Sequence, residues 1–310
     1  MDRCWILAGP TASGKSAIAL ALAERLNAEI ISLDSMAVYR EMDVGTAKPS
    51  AADQARLPHH LIDLVDPNEE FSVACYLQRA HEIVDRLTSA GRTPLFVGGT
   101  PMYLKAIIRG FDAGPPADWE FRRQVEEDVR RCGAEALRQR LRQVDPLSAH
   151  RLHPNDVRRM TRALEVARLT GVPLSHRQVQ FEQRLAARDC RVFVTDWPRE
   201  VLHQRINRRV EQMFAAGLVD ETRRLLETYR QLSRTAAQAV GYGEVIRHLR
   251  EGVPLSETRD AVQAHTRQLA RRQETWLRSF GEIRKIPMRE DVHPAEIAAR
   301  IAEAGALSPR

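Results

Sequence analysis

Four short apolar runs stand out along the chain: CWILA (4–8), EIISL (29–33), TPLFV (93–97) and CRVFVT (190–195). Each is short, continuous and bounded by turn residues, which is the pattern of strands buried on both faces of a parallel sheet. Between the first two, SAIALALAERLNA (16–28) switches to a helical period. Strand and helix signals in alternation predict an α/β fold, a parallel sheet flanked by helices. FDAGPPAD (111–118) breaks that rhythm with Gly, Pro and Asp and reads as a boundary. From 119 to about 187 the strand signals stop. WEFRRQVEEDVRRCGAEALRQRLRQV reads as two helices broken near Gly133, and HPNDVRRMTRALEVARLTG as a third, started by Asn155 or Asp156 and stopped at Gly171. Beyond the fourth strand the chain turns helical again, through REVLHQRINRRVEQMFAAG and HTRQLARRQETWLRSF. The expected organisation is an α/β core formed by residues 1–113 and 188–310, interrupted by an all-helical insertion at 114–187.

The first candidate chemistry follows the first strand. Residues Gly9, Pro10, Thr11, Ala12, Ser13, Gly14, Lys15 and Ser16 spell GPTASGKS, the G-x-x-x-x-G-K-[ST] pattern of a phosphate-binding loop. Gly9 and Gly14 permit a turn tight enough for successive N–H groups to face phosphate oxygens. Lys15 adds a point charge, and the Ser16 hydroxyl is a ligand for Mg²⁺. Strand, loop and helix in that order set the phosphate at a helix N-terminus, where free N–H groups and the dipole favour anions. The core is therefore expected to be P-loop NTPase-like. The loop alone does not say whose phosphates it holds.

In an open parallel sheet, ligands bind beyond the carboxyl ends of the strands. The polar residues that follow each strand should share that rim: Asp34 and Ser35 after the second, Gly98, Gly99 and Thr100 after the third, Asp196 after the fourth. Asp34 has three readings there, as a carboxylate for Mg²⁺, as a general base, or as a helix-capping side chain. Thr100 follows two glycines that allow a ligand close to the backbone.

Composition changes the picture only in part. The chain has 310 residues, 43% hydrophobic and 28% charged, as in globular proteins, and no apolar run approaches the ~18 residues of a membrane span. Cys4, Cys75, Cys132 and Cys190 are scattered without a C-x-x-C pair, which argues for reduced thiols in a cytoplasm rather than a zinc site or disulfide framework. A net charge of +6, carried mainly by arginine, is compatible with a nucleic-acid partner without requiring one.

GPTASGKS, DSMAVYREMDVGTAKP, HHLID (59–63), VGGTPMY (97–103), HPNDVRRMTRALEV, RINRRVEQMFAAGLVDE, AVGYGE and QLARRQETWLR occur in one order. Together they resemble the bacterial tRNA dimethylallyltransferase family, also called tRNA isopentenyltransferases, over essentially the whole chain to about residue 280. The resemblance implies that the loop holds the diphosphate of dimethylallyl diphosphate. It implies transfer of the prenyl group to N6 of adenine-37, beside the anticodon of tRNAs that read codons starting with U. It makes Asp34 the base, Thr100 a contact in the channel between the two substrates, and Arg209 a catalytic arginine beside Lys15, with Mg²⁺ as cofactor. Arg209 could not be chosen over Arg205 and Arg208 from the helix pattern alone.

The family's tRNA contacts carry over to Asp34, Ser35, Met36, Ala37, Thr100 and Arg122, and to Arg158, Arg159, Met160, Thr161 and Arg162. They also fall on Gln238, Ala239, Val240, Gly241, Tyr242 and Gly243, and on Arg271, Arg272, Gln273, Glu274, Thr275, Trp276, Leu277 and Arg278. The implied partner is a tRNA anticodon stem-loop bound by a cytoplasmic monomer with no membrane attachment. Ala37 and Gly243 depart from the family, which commonly carries glutamine at the first and a basic residue at the second.

Three rival readings account for less. A small-molecule or nucleotide kinase shares the loop and would use Asp196 for Mg²⁺, but leaves DSMAVYR and VGGT unexplained. Prenylation of free adenine nucleotides needs no extended basic surface. A non-catalytic RNA-binding module gives Asp34 no task.

Overall fold

The computed structural model describes residues 4–177, 187 and 190–306. Its first half runs β1 (Trp5–Ala8), α1 (Lys15–Leu26), β2 (Ala28–Leu33), α2 (Ala51–Arg56), β3 (His59–His60), α3 (Val73–Ser89), β4 (Thr93–Gly98) and α4 (Pro101–Arg109). Four helices follow: α5 (Trp119–Val144), α6 (Pro146–Arg151), α7 (Val157–Thr170) and α8 (Leu174–Arg177). The remainder is β5 (Val192–Asp196), α9 (Arg199–Ala215), α10 (Leu218–Tyr229), α11 (Arg234–Ala237), α12 (Tyr242–Glu251), α13 (Leu255–Leu277), β6 (Ile283–Pro287) and α14 (Pro294–Ala306).

All six strands are parallel, in the order β3-β2-β4-β1-β5-β6, so the sheet is a P-loop NTPase-like α/β core. From β1 the chain passes to β2 and the edge strand β3, returns to insert β4 between β2 and β1, and then adds β5 and β6 on the other side; β1 and β4 are the inner pair with Ala8 beside Gly98. Near-continuous burial of β1, β2, β4 and β5 explains why their sequences read as apolar runs. The expected helix at 16–28 begins at Lys15 and ends at Leu26; Asn27 turns left-handed and Ala28 already belongs to β2. The fourth run likewise starts two residues late, since Val192 rather than Cys190 opens β5.

Two compact units divide the chain: Met1–Ile108 with Leu185–Arg310, and Arg109–Arg184. The expected return to the core at residue 188 lies outside the described residues. In the larger unit, Leu7, Ile18, Leu22, Phe193, Ile297 and Ile301 pack α1 and α14 on the sheet. A second cluster, including Val38, Tyr39, Met42, Leu218, Leu225, Tyr242 and Val245, fastens the segment after β2 to α10 and α12. The smaller unit has its own core of Phe121, Val125, Leu141, Met160 and Leu164. There α5 is interrupted at Gly133, where φ is 80° and ψ 167°. Asp156, not Asn155, caps α7 by accepting from the Arg159 N–H, and Gly171 ends it left-handed.

Candidate active site

The loop between β1 and α1 is held from β5 and α9 before any ligand enters. Thr195 Oγ1 donates to Ser13 Oγ at 2.8 Å, Trp197 Nε1 to Ser13 O at 2.9 Å, and Arg205 Nε to Ala12 O at 2.9 Å. Arg205 also lies over the Trp197 ring, 4.5 Å from its centroid. A Cβ on Gly9 would sit 2.1 Å from Thr195 Oγ1, which is why this position holds glycine. Gly14, with φ of 83°, turns the chain into α1, a backbone that side chains resist.

The rim behaves as strand order requires. Lys15, Ser16, Asp34, Gly98, Gly99, Arg209 and Gln273 line one cavity of about 760 Å³, open mouth included, together with Thr11, Ala37, Thr46 and Lys48. Lys15 is half-buried and donates to Pro10 O at 2.6 Å. Burial first, then the positive charge of Arg209, bring its pKa down to about 7, with Asp34 pulling the other way. Arg209 on α9 is half-buried, and its desolvation lowers its pKa, again against Asp34. Its Nη2 reaches Thr46 O at 3.4 Å, and its buried Nε has no hydrogen-bond partner among the described residues. A desolvated guanidinium with an unused N–H, beside a half-buried lysine and the N-terminus of α1, is a site built for an anion.

Asp34 caps no helix, since the next one begins at Ala51. Its Oδ1 accepts from the Met36 N–H at 2.8 Å, a local side-chain turn, while the residue faces the cavity. Thr100 supports it from behind: Thr100 Oγ1 accepts from the Ser35 N–H at 3.0 Å, and its hydroxyl donates to Ser35 Oγ at 3.3 Å. Asp196 is not part of this wall. It is exposed at the end of β5 and pairs with Lys285 at 3.3 Å.

Gln273 is a bridge inside the site. Its Oε1 accepts from the Thr11 N–H at 2.9 Å and its Nε2 donates to Gly99 O at 2.7 Å, tying α13 to the phosphate loop and to the end of β4. Sequence reasoning set it among RNA contacts and gave no sign of this bridge. On the same helix Arg271, Arg272, Thr275 and Arg278 are exposed, Glu274 and Trp276 half-buried, and Leu277 buried. Lys48 was missed altogether. Its ammonium is buried against Tyr39 O at 2.6 Å, Asp43 at 2.7 Å and Asp63 at 2.5 Å.

The block at 238–243 faces inward more than an RNA-contact reading suggests. Gln238 is exposed, Val240 and Gly243 are half-buried, and Ala239, Gly241 and Tyr242 are buried. In the helical unit, Met160 is buried and Thr161 Oγ1 donates to Val157 O at 2.8 Å. Arg122 grips the fully buried Glu165 at 2.8 Å and Arg162 pairs with the same carboxylate, while Arg158 and Arg159 are exposed.

Comparison with known proteins agrees with this geometry. A family model described as IPP transferase matches residues 37–280, and one described as isopentenyl transferase matches residues 2–63. A tRNA dimethylallyltransferase of Rhodopirellula baltica is 57% identical over 91% of this chain and 87% of its own length. Its counterpart in Geobacter sulfurreducens is 47% identical over 88% of each chain. Among solved structures, the full-length tRNA isopentenylpyrophosphate transferase of Bacillus halodurans superposes with a TM-score of 0.70 at 38% identity, covering 98% of this chain and 97% of that one. A eukaryotic dimethylallyltransferase acting on tRNA gives 0.81 at 25% identity, over 98% of this chain and 79% of that one.

Proposed function

This chain belongs to the IPP transferase family, that of the tRNA dimethylallyltransferases, and on that premise we propose how its cavity carries out prenyl transfer. The enzyme is a transferase that modifies tRNA by moving a dimethylallyl group onto adenine N6. The donor in this reading is dimethylallyl diphosphate and the acceptor is adenine-37 in the anticodon loop of tRNAs reading codons that start with U. The observation that carries the reading is the convergence of Lys15, Asp34 and Arg209 on one cavity.

The adenine amine is a weak nucleophile because its lone pair is delocalised into the ring. Asp34 accepts one amine hydrogen as the N6–C bond forms, and keeps that proton. The allylic C–O bond breaks and its electron pair leaves with the diphosphate. Charge growing on that leaving group meets the loop N–H groups, the Lys15 ammonium and the unused Arg209 Nε–H, donors fixed in advance in a desolvated site. Because the target base sits in a stacked loop, it must be flipped out to reach Asp34, at a cost of a few kcal/mol.

Among the described residues no three His, Cys, Asp or Glu side chains gather as a metal cage. The donor set at the loop is the Ser16 hydroxyl, and that fits Mg²⁺, which keeps several waters and is usually held through substrate phosphates. Ser16 would hold the ion, which when bound neutralises charge on the diphosphate. The working form in this reading is a cytoplasmic monomer with an anticodon stem-loop as its partner.

The test is incubation with Mg²⁺, radiolabelled dimethylallyl diphosphate and an anticodon stem-loop carrying A36-A37-A38, beside an A37G loop and free AMP. Label confined to the A37 loop supports the reading. Label on AMP moves it to free nucleotides, and ATP hydrolysis without label moves it to the kinase class. The placement of Asp196, paired with Lys285 outside the cavity, already weighs against the last.

A further inference from the structure

The segment between Asp34 and Ser50 forms much of the cavity wall, yet it contains no helix or strand among the elements of the fold. Glu41 and Ala47 hold positive φ, at 61° and 48°, a region that side chains other than glycine visit at some cost. Something outside the segment must therefore fix it. The Glu221 carboxylate on α10, almost fully buried, accepts from three consecutive backbone amides. Its oxygens lie 3.2 Å from Asp43 N, 2.9 and 3.2 Å from Val44 N, and 3.4 Å from Gly45 N. The Tyr242 hydroxyl, fully buried at the start of α12, donates to the same carboxylate at 2.6 Å and accepts from Gly45 N at 3.2 Å. The ring lies flush against Gly45, where an added Cβ would come within 2.4 Å of it. One residue further on, Thr46 O receives Arg209 Nη2.

We propose that Glu221 and Tyr242 form a positioning clamp for prenyl transfer, fixing the 43–46 backbone so that Thr46 holds the Arg209 guanidinium against the diphosphate. The role of Tyr242 is then internal and catalytically directed rather than a contact with RNA. A buried carboxylate shared by three N–H groups and a hydroxyl is satisfied on every side, so it defines one loop conformation. Removing the hydroxyl leaves the carboxylate one donor short and lets the loop, and with it Arg209, move. Small misplacements of a group that stabilises transition-state charge lower kcat without weakening RNA binding.

This rests on Arg209 acting in prenyl transfer as proposed above. Wild type with no transfer to the A37 loop would overturn that reading, whereas the variants below judge the clamp in an active enzyme. Tyr242→Phe and Glu221→Gln are assayed for kcat, for KM of each substrate and for tRNA affinity, well below their measured melting temperatures. The clamp predicts a fall in kcat of about tenfold for Tyr242→Phe with tRNA affinity within about twofold of wild type. In an Arg209→Ala background the same substitution should lower kcat by much less, since the two act through one chain of contacts. Weaker tRNA binding with kcat unchanged would overturn the proposal, and so would additivity with Arg209→Ala. Should Glu221→Gln fail to fold, Tyr242→Phe and its cycle with Arg209→Ala decide the question alone.

Discussion

Lys15 and Arg209 are half-buried in the wall of one cavity, and the guanidinium adds to the effect of desolvation in holding the Lys15 pKa near 7, against the pull of Asp34. A diphosphate reverses that balance by supplying negative charge to both. The consequence is a pH dependence whose sign is fixed. Below about pH 7 Lys15 is already charged in the free enzyme, so its titration leaves donor affinity unchanged. Above it the free enzyme has lost a proton that the complex must take back, so Kd rises, by up to about tenfold per pH unit, until the raised pKa of the complex is reached. Calorimetry at about pH 8.5, in buffers of different ionisation enthalpy, should record close to one proton taken up per diphosphate. Lys15→Arg should abolish that uptake, and no uptake by wild type would refute the coupling.

Asp34 needs a substitution that spares its local turn. Alanine removes both the cavity carboxylate and the acceptor for the Met36 N–H. Asparagine keeps an oxygen for that N–H and removes only the base. Asp34→Asn is expected to lose about 10²–10⁴-fold in kcat while retaining diphosphate affinity. Single-turnover rates beside equilibrium binding of the donor separate the two quantities. Normal turnover would return Asp34 to a structural role.

Gln273 links three parts of the site through one amide, and its two ends can be tested apart. Gln273→Glu retains an acceptor for the Thr11 N–H but loses the donor to Gly99 O, whereas Gln273→Leu loses both. Leucine should raise the KM for the donor by about tenfold, the weight of one or two hydrogen bonds, and glutamate by more, because its charge faces both Gly99 O and the diphosphate. A KM for the donor unmoved by either substitution would mean that the bridge holds nothing the diphosphate uses.

Much of this arrangement is legible in the sequence, and what is not has a physical reason. Strands buried on both faces announce themselves as apolar runs, and β1, β2, β4 and β5 do so. The edge strand β6, IRKIP, is only partly buried and mixes charged with apolar positions, and β3 is two histidines long. Neither carries a period that could be read. Lys15 and Asp34 followed from motif and strand order. Arg209 did not, because Arg205, Arg208 and Arg209 look alike in sequence and only the packing of α9 decides which lines the cavity. Gln273, Lys48 and the Glu221–Tyr242 pair act across sequence separations that no local pattern spans.

In the helical unit the structure separates two arginines that the sequence treats as one basic face. Arg162 and Arg122 share the buried Glu165 carboxylate, which also accepts from the Asp118 N–H at 2.8 Å. Burial alone would raise the Glu165 pKa, yet these donors bring it below its ordinary value. Removing Arg162 leaves that carboxylate short of a partner, though Arg122 remains. Arg162→Ala should therefore destabilise the unit by about 1–3 kcal/mol, read as a lower denaturation midpoint. Arg158 is exposed, so Arg158→Ala should leave stability within about 0.5 kcal/mol of wild type. If Arg158 meets a tRNA phosphate, its loss lowers the salt dependence of tRNA binding by nearly one unit of log K per log salt. Titrations of the stem-loop at several salt concentrations, beside urea melts of both variants, check the pair. An unchanged salt slope for Arg158→Ala would remove that residue from the RNA surface, and full stability of Arg162→Ala would return it there.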